Sequence, residues 1–187
     1  MDRVTLGKTG LRAAAVSFGG IPIQRSDAAN TKAVVDKLEE YGMNYIDTAR
    51  AYTVSEEYLG AALAGRRDKF LLATKSMARD RDAMARDIET SLRNLRTDHI
   101  DVYQIHNLPI QQIDQVFGPG GAWEALEEAK AAGKVGHLGV TAHNVDALDK
   151  MLALHGDKIE TVMFPYNIVE SQGHETLKRA RAMGIAT

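Results

Sequence analysis

The chain has 187 residues, 44% hydrophobic and 26% charged, a composition that supports one ordinary globular domain with a substantial core. A formal net charge of -2 argues against a broad basic surface for nucleic acid or anionic membrane. The absence of cysteine excludes disulfides, thiolate zinc sites and iron–sulfur ligation by these residues. No apolar run approaches the ~20 residues needed to span a bilayer, and Met1–Gly7 lacks the apolar region of a signal peptide, so a cytoplasmic protein is expected.

Val4–Leu6 and Leu11–Ala13, joined through Gly7-Lys8-Thr9-Gly10, read as a β-hairpin that caps one end of the domain. Ala14–Phe18 is the expected first core strand, stopped by Gly19-Gly20. A helix is expected from Ala28 to Tyr41, with Val34, Val35, Leu38 and Tyr41 on one face and Gly42 as its left-handed cap. Asn44–Asp47 is the second strand. Ser55 is the expected N-cap of a helix running through Ala64 to Gly65. Phe70–Lys75 is the third strand, followed by a helix from Asp80 to Leu95 with Met84, Ile88, Leu92 and Leu95 at helical spacing. Ile100–His106 is the fourth strand. A loop then runs to Phe117-Gly118-Pro119-Gly120-Gly121, and a helix carries Trp123, Leu126 and Ala129 inward before stopping at Gly133. Val135–Thr141 is the fifth strand and Val145–Leu154 a helix. Thr161–Tyr166 is the sixth strand and Glu175–Met183 the last helix. Gly184–Thr187 reads as the start of a seventh strand.

Alternation of strand and helix implies a parallel sheet with helices outside it. The sheet closes either as an eight-stranded barrel or as an open doubly wound sheet. No Gly-x-Gly-x-x-Gly follows the first strand, so the doubly wound option lacks its nucleotide-binding fingerprint. The expectation is therefore a TIM (β/α)8-type barrel in one domain over residues 1–187, incomplete at about six β/α units plus the start of strand seven. A complete barrel typically needs ~250 residues. Unpaired edges at the first and last strands would invite self-association.

Three strands end in an ionisable residue: Asp47, Lys75 and His106, with Tyr52 just beyond the first. In such barrels the strand C-termini open onto one face, where chemistry is done. A tyrosine, with an ordinary pKa near ~10, is a poor donor at neutral pH. A lysine ammonium beside it is expected to lower that value, with Asp47 orienting Lys75. Tyr52 would then serve as general acid to an oxygen on a carbonyl carbon, and neutral His106 would orient that oxygen. None of the four is a hydride source, so reduction requires a nicotinamide cofactor. Taken singly, each has a plainer reading: Asp47 and Lys75 as an ion pair, His106 as a structural histidine, Tyr52 as a packing residue. His99, His137, His143, His155 and His174 show no metal-ligand spacing, and no metal is expected; His143 follows the fifth strand and could line the pocket.

These residues resemble the aldo-keto reductase family. The matching motifs are Asp47-Thr48-Ala49-x-x-Tyr52 with Ser55-Glu56, Ala73-Thr74-Lys75, and Asp101-x-Tyr103-x-Ile105-His106. Leu6-Gly7-Lys8-Thr9-Gly10-Leu11 resembles the family's N-terminal hairpin, and Gly133-Lys134-Val135 with Gly139-Val140-Thr141 its fifth strand. The resemblance implies a catalytic tetrad of Asp47, Tyr52, Lys75 and His106, with Tyr52 as proton donor. It also implies NADPH as cofactor, NADH being the alternative, and an aldehyde or ketone substrate. The expected cofactor-binding positions are Gly20, Ile21, Asp47, Thr141, Ala142 and Met163. Members usually carry Ser-Asn where this chain has Thr141-Ala142, and a glutamine where it has Met163. The family's strand-seven and strand-eight loops, which grip the pyrophosphate and adenosine phosphate, have no counterpart in these 187 residues. Phe18–Gln24 with Asp47–Tyr52 also resembles a bacterial branch in which some members carry a C-terminal ferredoxin-like segment.

Two classes of function follow. One is an NAD(P)H-dependent carbonyl reductase. The other is a non-catalytic regulatory or binding module on the same scaffold.

Overall fold

The computed structural model describes residues 1–187. β1 (Arg3–Thr5) and β2 (Arg12–Ala14) pair antiparallel, with Val4 opposite Ala13, and form the expected hairpin. The first strand of the main sheet, β3, is only Phe18–Gly19. Sequence reading placed it at Ala14–Phe18. The chain resolves otherwise because the Ala15 N–H donates to the Asp2 carbonyl and the Ala14 N–H to Asn44 Oδ1, which ties this stretch to the hairpin side. Val16 is left exposed.

α1 (Ala28–Glu40) begins where the Asp27 carboxylate accepts the Asn30 N–H at 2.7 Å, satisfying a helix-end donor. It is released by Gly42 at φ 71°, a conformation costly for residues with a Cβ. β4 (Tyr45–Asp47) follows, then α2 (Ser55–Ala62). Ser55 was expected as N-cap but is the first helical residue. Its hydroxyl instead donates to the Gly20 carbonyl at 3.0 Å and lies 2.8 Å from Thr48 Oγ1. β5 (Leu71–Ser76) leads to α3 (Arg81–Leu95), capped by the Asp80 carboxylate on the Ala83 N–H at 2.8 Å.

β6 (Ile100–Ile105) is followed by the long connection, which is not structureless. It holds a short 3-10 turn and α4 (Ile113–Phe117), whose Ile113 and Val116 are fully buried. α5 (Ala122–Ala131) buries Trp123, Leu126 and Ala129 as expected. β7 (Val135–Thr141), α6 (Val145–His155), β8 (Thr161–Met163) and α7 (His174–Ala182) complete the alternation. β8 stops three residues before the expected Tyr166. Beyond Met163 the backbone leaves the sheet, and Ile168 and Val169 are almost fully exposed.

The six strands β3 to β8 lie in sequence order, every neighbouring pair parallel, as an open half-barrel arc with helices on the convex side. The expected start of a seventh strand pairs too: the Val162 N–H donates to the Ala186 carbonyl, and the Ala186 N–H to that of Glu160. The core is one cluster on the convex side, where Ile46, Leu72, Tyr103 and Val140 meet Leu59, Met84, Ile88 and Leu148 of the helices. No helix is long and apolar enough to cross a membrane.

Strand pleating sorts the remaining residues. Side chains alternate faces, so Lys75 points to the concave side while its neighbour Thr74 points into the helix layer. By the same period Gln104 and His106 share one face, and Tyr103 the other.

Candidate active site

Asp47 ends β4, and Lys75 lies one residue from the end of β5. The β4–β5 register sets Asp47 opposite Ala73, so Lys75 is two residues further along the same face. The Lys75 ammonium donates to Asp47 Oδ1 at 2.5 Å and to the Thr48 carbonyl at 2.8 Å. Its side chain is 2% exposed, so the pair is almost wholly removed from water. Burial pushes the Asp47 carboxyl above its ordinary range, and the Lys75 charge opposes that shift. Asp47 Oδ2 is buried without a hydrogen-bond partner.

The Tyr52 ring lies over Lys75, with Nζ 5.2 Å from the ring centroid, inside cation–π range. Tyr52 and His106 meet edge to face, with centroids 5.9 Å apart and planes at 88°. The three strand-end residues and Tyr52 are thus within one small region. One expectation is corrected. The phenol of Tyr52 is held above its ordinary pKa, not below it, by burial first and the Asp47 carboxylate second. The Lys75 ammonium is itself engaged by Asp47.

His106 continues the β6 ladder, its N–H donating to the Ser76 carbonyl at 2.8 Å. Burial, then Lys75, Arg79 and His143, lower its pKa to about 4, so the imidazole is neutral at ordinary pH. Its Nδ1 is buried without a partner. Arg79 was not anticipated. It donates through Nη2 to the carbonyls of His106 and Asn107 at 2.9 and 3.0 Å, and through Nε to Gln112 at 2.7 Å. It therefore fixes the turn just after His106. His143 is exposed.

The other expected positions also stand at strand C-terminal ends: just after β3, at the end of β7 and at the end of β8. The Gly20 N–H donates to the Asp47 carbonyl at 2.7 Å, and a Cβ there would lie only 2.9 Å from that oxygen. Ile21 is 51% exposed at the start of a 3-10 turn. Thr141 Oγ1 accepts the Asn107 N–H at 2.7 Å, next to His106. Thr141 pairs with Met163 in the sheet, and the Ala142 N–H donates to the Met163 carbonyl. Ala142 is buried and Met163 half-exposed. Gln104, missed by sequence reading, donates to Thr161 Oγ1 at 3.2 Å while its Oε1 lacks a partner. Its position two residues before His106 on the same face was the available signal.

A sequence profile described as the Aldo/keto reductase family matches residues 15–187. The chain belongs to the aldo/keto reductase family. It is 28% identical over 197 residues to the aldo-keto reductase YhdN of Bacillus subtilis, covering 95% of this chain and 57% of YhdN. It is 30% identical over 162 residues to L-galactose dehydrogenase of Arabidopsis thaliana, covering 79% of this chain and 50% of that protein. The holo form of an aldo-keto reductase from Bacillus halodurans superposes with a TM-score of 0.88 at 28% identity, covering 99% of this chain and 64% of that one. The chain thus spans between half and two thirds of the length of these aldo/keto reductase relatives.

Proposed function

We propose that the chain carries the proton-donating half of an NAD(P)H-dependent carbonyl reductase acting on an aldehyde or ketone. The observation that carries this reading is the stack of Asp47, Lys75 and Tyr52, with His106 at the ring edge. NADPH is the proposed cofactor, with NADH the alternative.

The strand ends offer groups that fit the nicotinamide end of such a cofactor. The Thr141 hydroxyl accepts one bond and retains its own proton to donate, and Asp47 Oδ2 and His106 Nδ1 are buried without partners. Ala142 offers no side-chain polar group, so Thr141, with Gln104 nearby on the concave face, is left to hold a carboxamide. Gly20 and Ile21, beside the end of β4, and Met163, paired with Thr141, are the further positions assigned to the cofactor. When bound, the cofactor supplies the hydride that forms the new C–H bond.

The chain's own residues supply the rest. Neutral His106 donates a ring N–H to the carbonyl oxygen and orients it, without protonating it. As the carbonyl π pair moves onto oxygen, Tyr52 gives up its phenolic proton and an alcohol results. Tyr52 is protonated at ordinary pH, and the negative charge that builds on the carbonyl oxygen draws its proton. Lys75, 5.2 Å from the ring centroid, then steadies the phenolate left behind. Tyr52 is half-buried, so solvent can return the proton.

The test has two parts. Trp123 is buried in α5 and stacked on Phe117, with centroids 4.6 Å apart, so it does not report on the strand ends. NADPH binding should be followed by the nucleotide's own fluorescence. NADPH carrying deuterium at C4 is then incubated with 4-nitrobenzaldehyde, and the expected product is an alcohol labelled at carbon. Binding without label transfer would assign the chain to the non-catalytic module reading.

A further inference from the structure

A second polar cluster lies on the other side of β5, facing away from the proposed reaction. Glu56, the second residue of α2, is fully buried. Its Oε1 accepts from Thr74 Oγ1 at 2.8 Å and from Ser91 Oγ at 2.7 Å. Its Oε2 accepts from Arg50 Nη1 at 2.5 Å and, more weakly, from Asn94 Nδ2 at 3.4 Å. Arg50 also brings Nε to 3.8 Å from Asp87, and Asp87 receives the Ser76 hydroxyl. Tyr103 lies against Ser91 Oγ at 3.2 Å.

Burying a carboxylate this completely is costly, and a packed apolar replacement is often at least as stable. Fold stability alone is therefore a weak reason for the cluster. What it ties together is more informative. Thr74 and Ser76 flank Lys75 on β5. Arg50 stands two residues before Tyr52, and its own backbone N–H donates to the Lys75 carbonyl at 3.0 Å. Thr53, just after Tyr52, sits at φ 45°, a conformation that persists only where the surroundings hold it.

We propose that the Arg50–Glu56 pair is a latch that holds the segment carrying Tyr52 onto β5 and so fixes the phenol over Lys75. Both are positioning residues and touch no reactant. The latch works from the helix side through β5: the carboxylate engages Thr74 on one flank of Lys75, and the guanidinium draws the turn after β4 toward the same strand. The kinetic consequence rests on Tyr52 being the proton donor; the geometric one does not.

The experiment compares the full chain with Arg50→Met, Arg50→Lys and Glu56→Gln. The first readout is the nuclear Overhauser contact between the Tyr52 and His106 rings, assigned with Tyr52→Phe. The second is kcat with NADPH and 4-nitrobenzaldehyde, beside the NADPH Kd. Arg50→Met is expected to lose the ring contact and about 100-fold in kcat, the scale of an ångström misplacement, at unchanged Kd. Arg50→Lys, which keeps a cation for Glu56, should recover most of both. A folded Arg50→Met that keeps the ring contact overturns the latch. If Arg50→Met does not fold, Glu56→Gln, which preserves shape, is read in the same way, and an intact contact there overturns it as well. If the unaltered chain shows no turnover, the reductase reading fails, while the ring contact still decides the latch.

Discussion

Lys75 Nζ lies 2.5 Å from Asp47 Oδ1, in a pair whose lysine side chain is 2% exposed and whose aspartate side chain is 12% exposed. Two charges kept this far from water hold one another in place, because each is costly to bury without the other. The pair is thus both a structural joint between β4 and β5 and the seat of the Tyr52 ring.

Removing one partner should expose that cost. Lys75→Met leaves the Asp47 carboxylate buried and unpaired, and is expected to destabilise the fold by about 3–5 kcal/mol. Adding Asp47→Asn should return part of the loss, since the orphaned charge is gone. Urea unfolding of the two variants beside the parent measures this. Equal stability of Lys75→Met and parent would show that the pair is not buried in solution.

Acid should weaken the fold through His106. Its folded pKa is about 4, below the ordinary value near 6.5, so the unfolded chain takes up this proton first as pH falls. Stability is therefore lost progressively from about pH 6.5 to pH 4 and this contribution levels off below that. His106→Gln should flatten that part of the pH profile. A parent and variant with parallel profiles would contradict the neutral, half-buried histidine.

Gly20 is fixed by close approach. A Cβ there would lie 2.9 Å from the Asp47 carbonyl oxygen, 3.0 Å from Ser55 Oγ and 3.3 Å from Thr48 Cβ. Backbone and buried side chains cannot give way cheaply, so Gly20→Ala should cost about 1–3 kcal/mol and shift the turn after β4. Thermal unfolding, with backbone chemical shifts of residues 47–55, checks both. An unperturbed turn would show that the 3-10 segment after Gly20 yields instead.

The parallel alternation and the four candidate residues were legible because three of the strands are apolar runs that end at an ionisable group, Asp47, Lys75 or His106, with Tyr52 just beyond the first. Glycines such as Gly42 and Gly133 marked helix ends through a local conformational need, and both adopt positive φ. The first strand was misplaced because Ala14, Ala15 and Val16 look alike in hydropathy, and only Asn44, thirty residues on from Ala14, decides where that stretch bonds. α4 was missed because five residues between a proline and a glycine-rich run give no helical period. The direction of the Tyr52 shift was not legible because burial of the phenol, its first cause, is set only by the fold, and the Asp47 carboxylate adds to it. Glu56 read as part of a motif, whereas its partners Thr74, Ser91 and Asn94 come from two other elements and meet only in the fold.

The most direct test of the account is turnover by Tyr52→Phe. The phenyl ring keeps the contact with Lys75 and lacks only the proton. NADPH oxidation with 4-nitrobenzaldehyde is expected to fall at least about 100-fold, the scale of a lost general acid, with the NADPH Kd unchanged. Turnover equal to that of the parent chain would mean that another group delivers the proton, and the assignment of Tyr52 would be wrong.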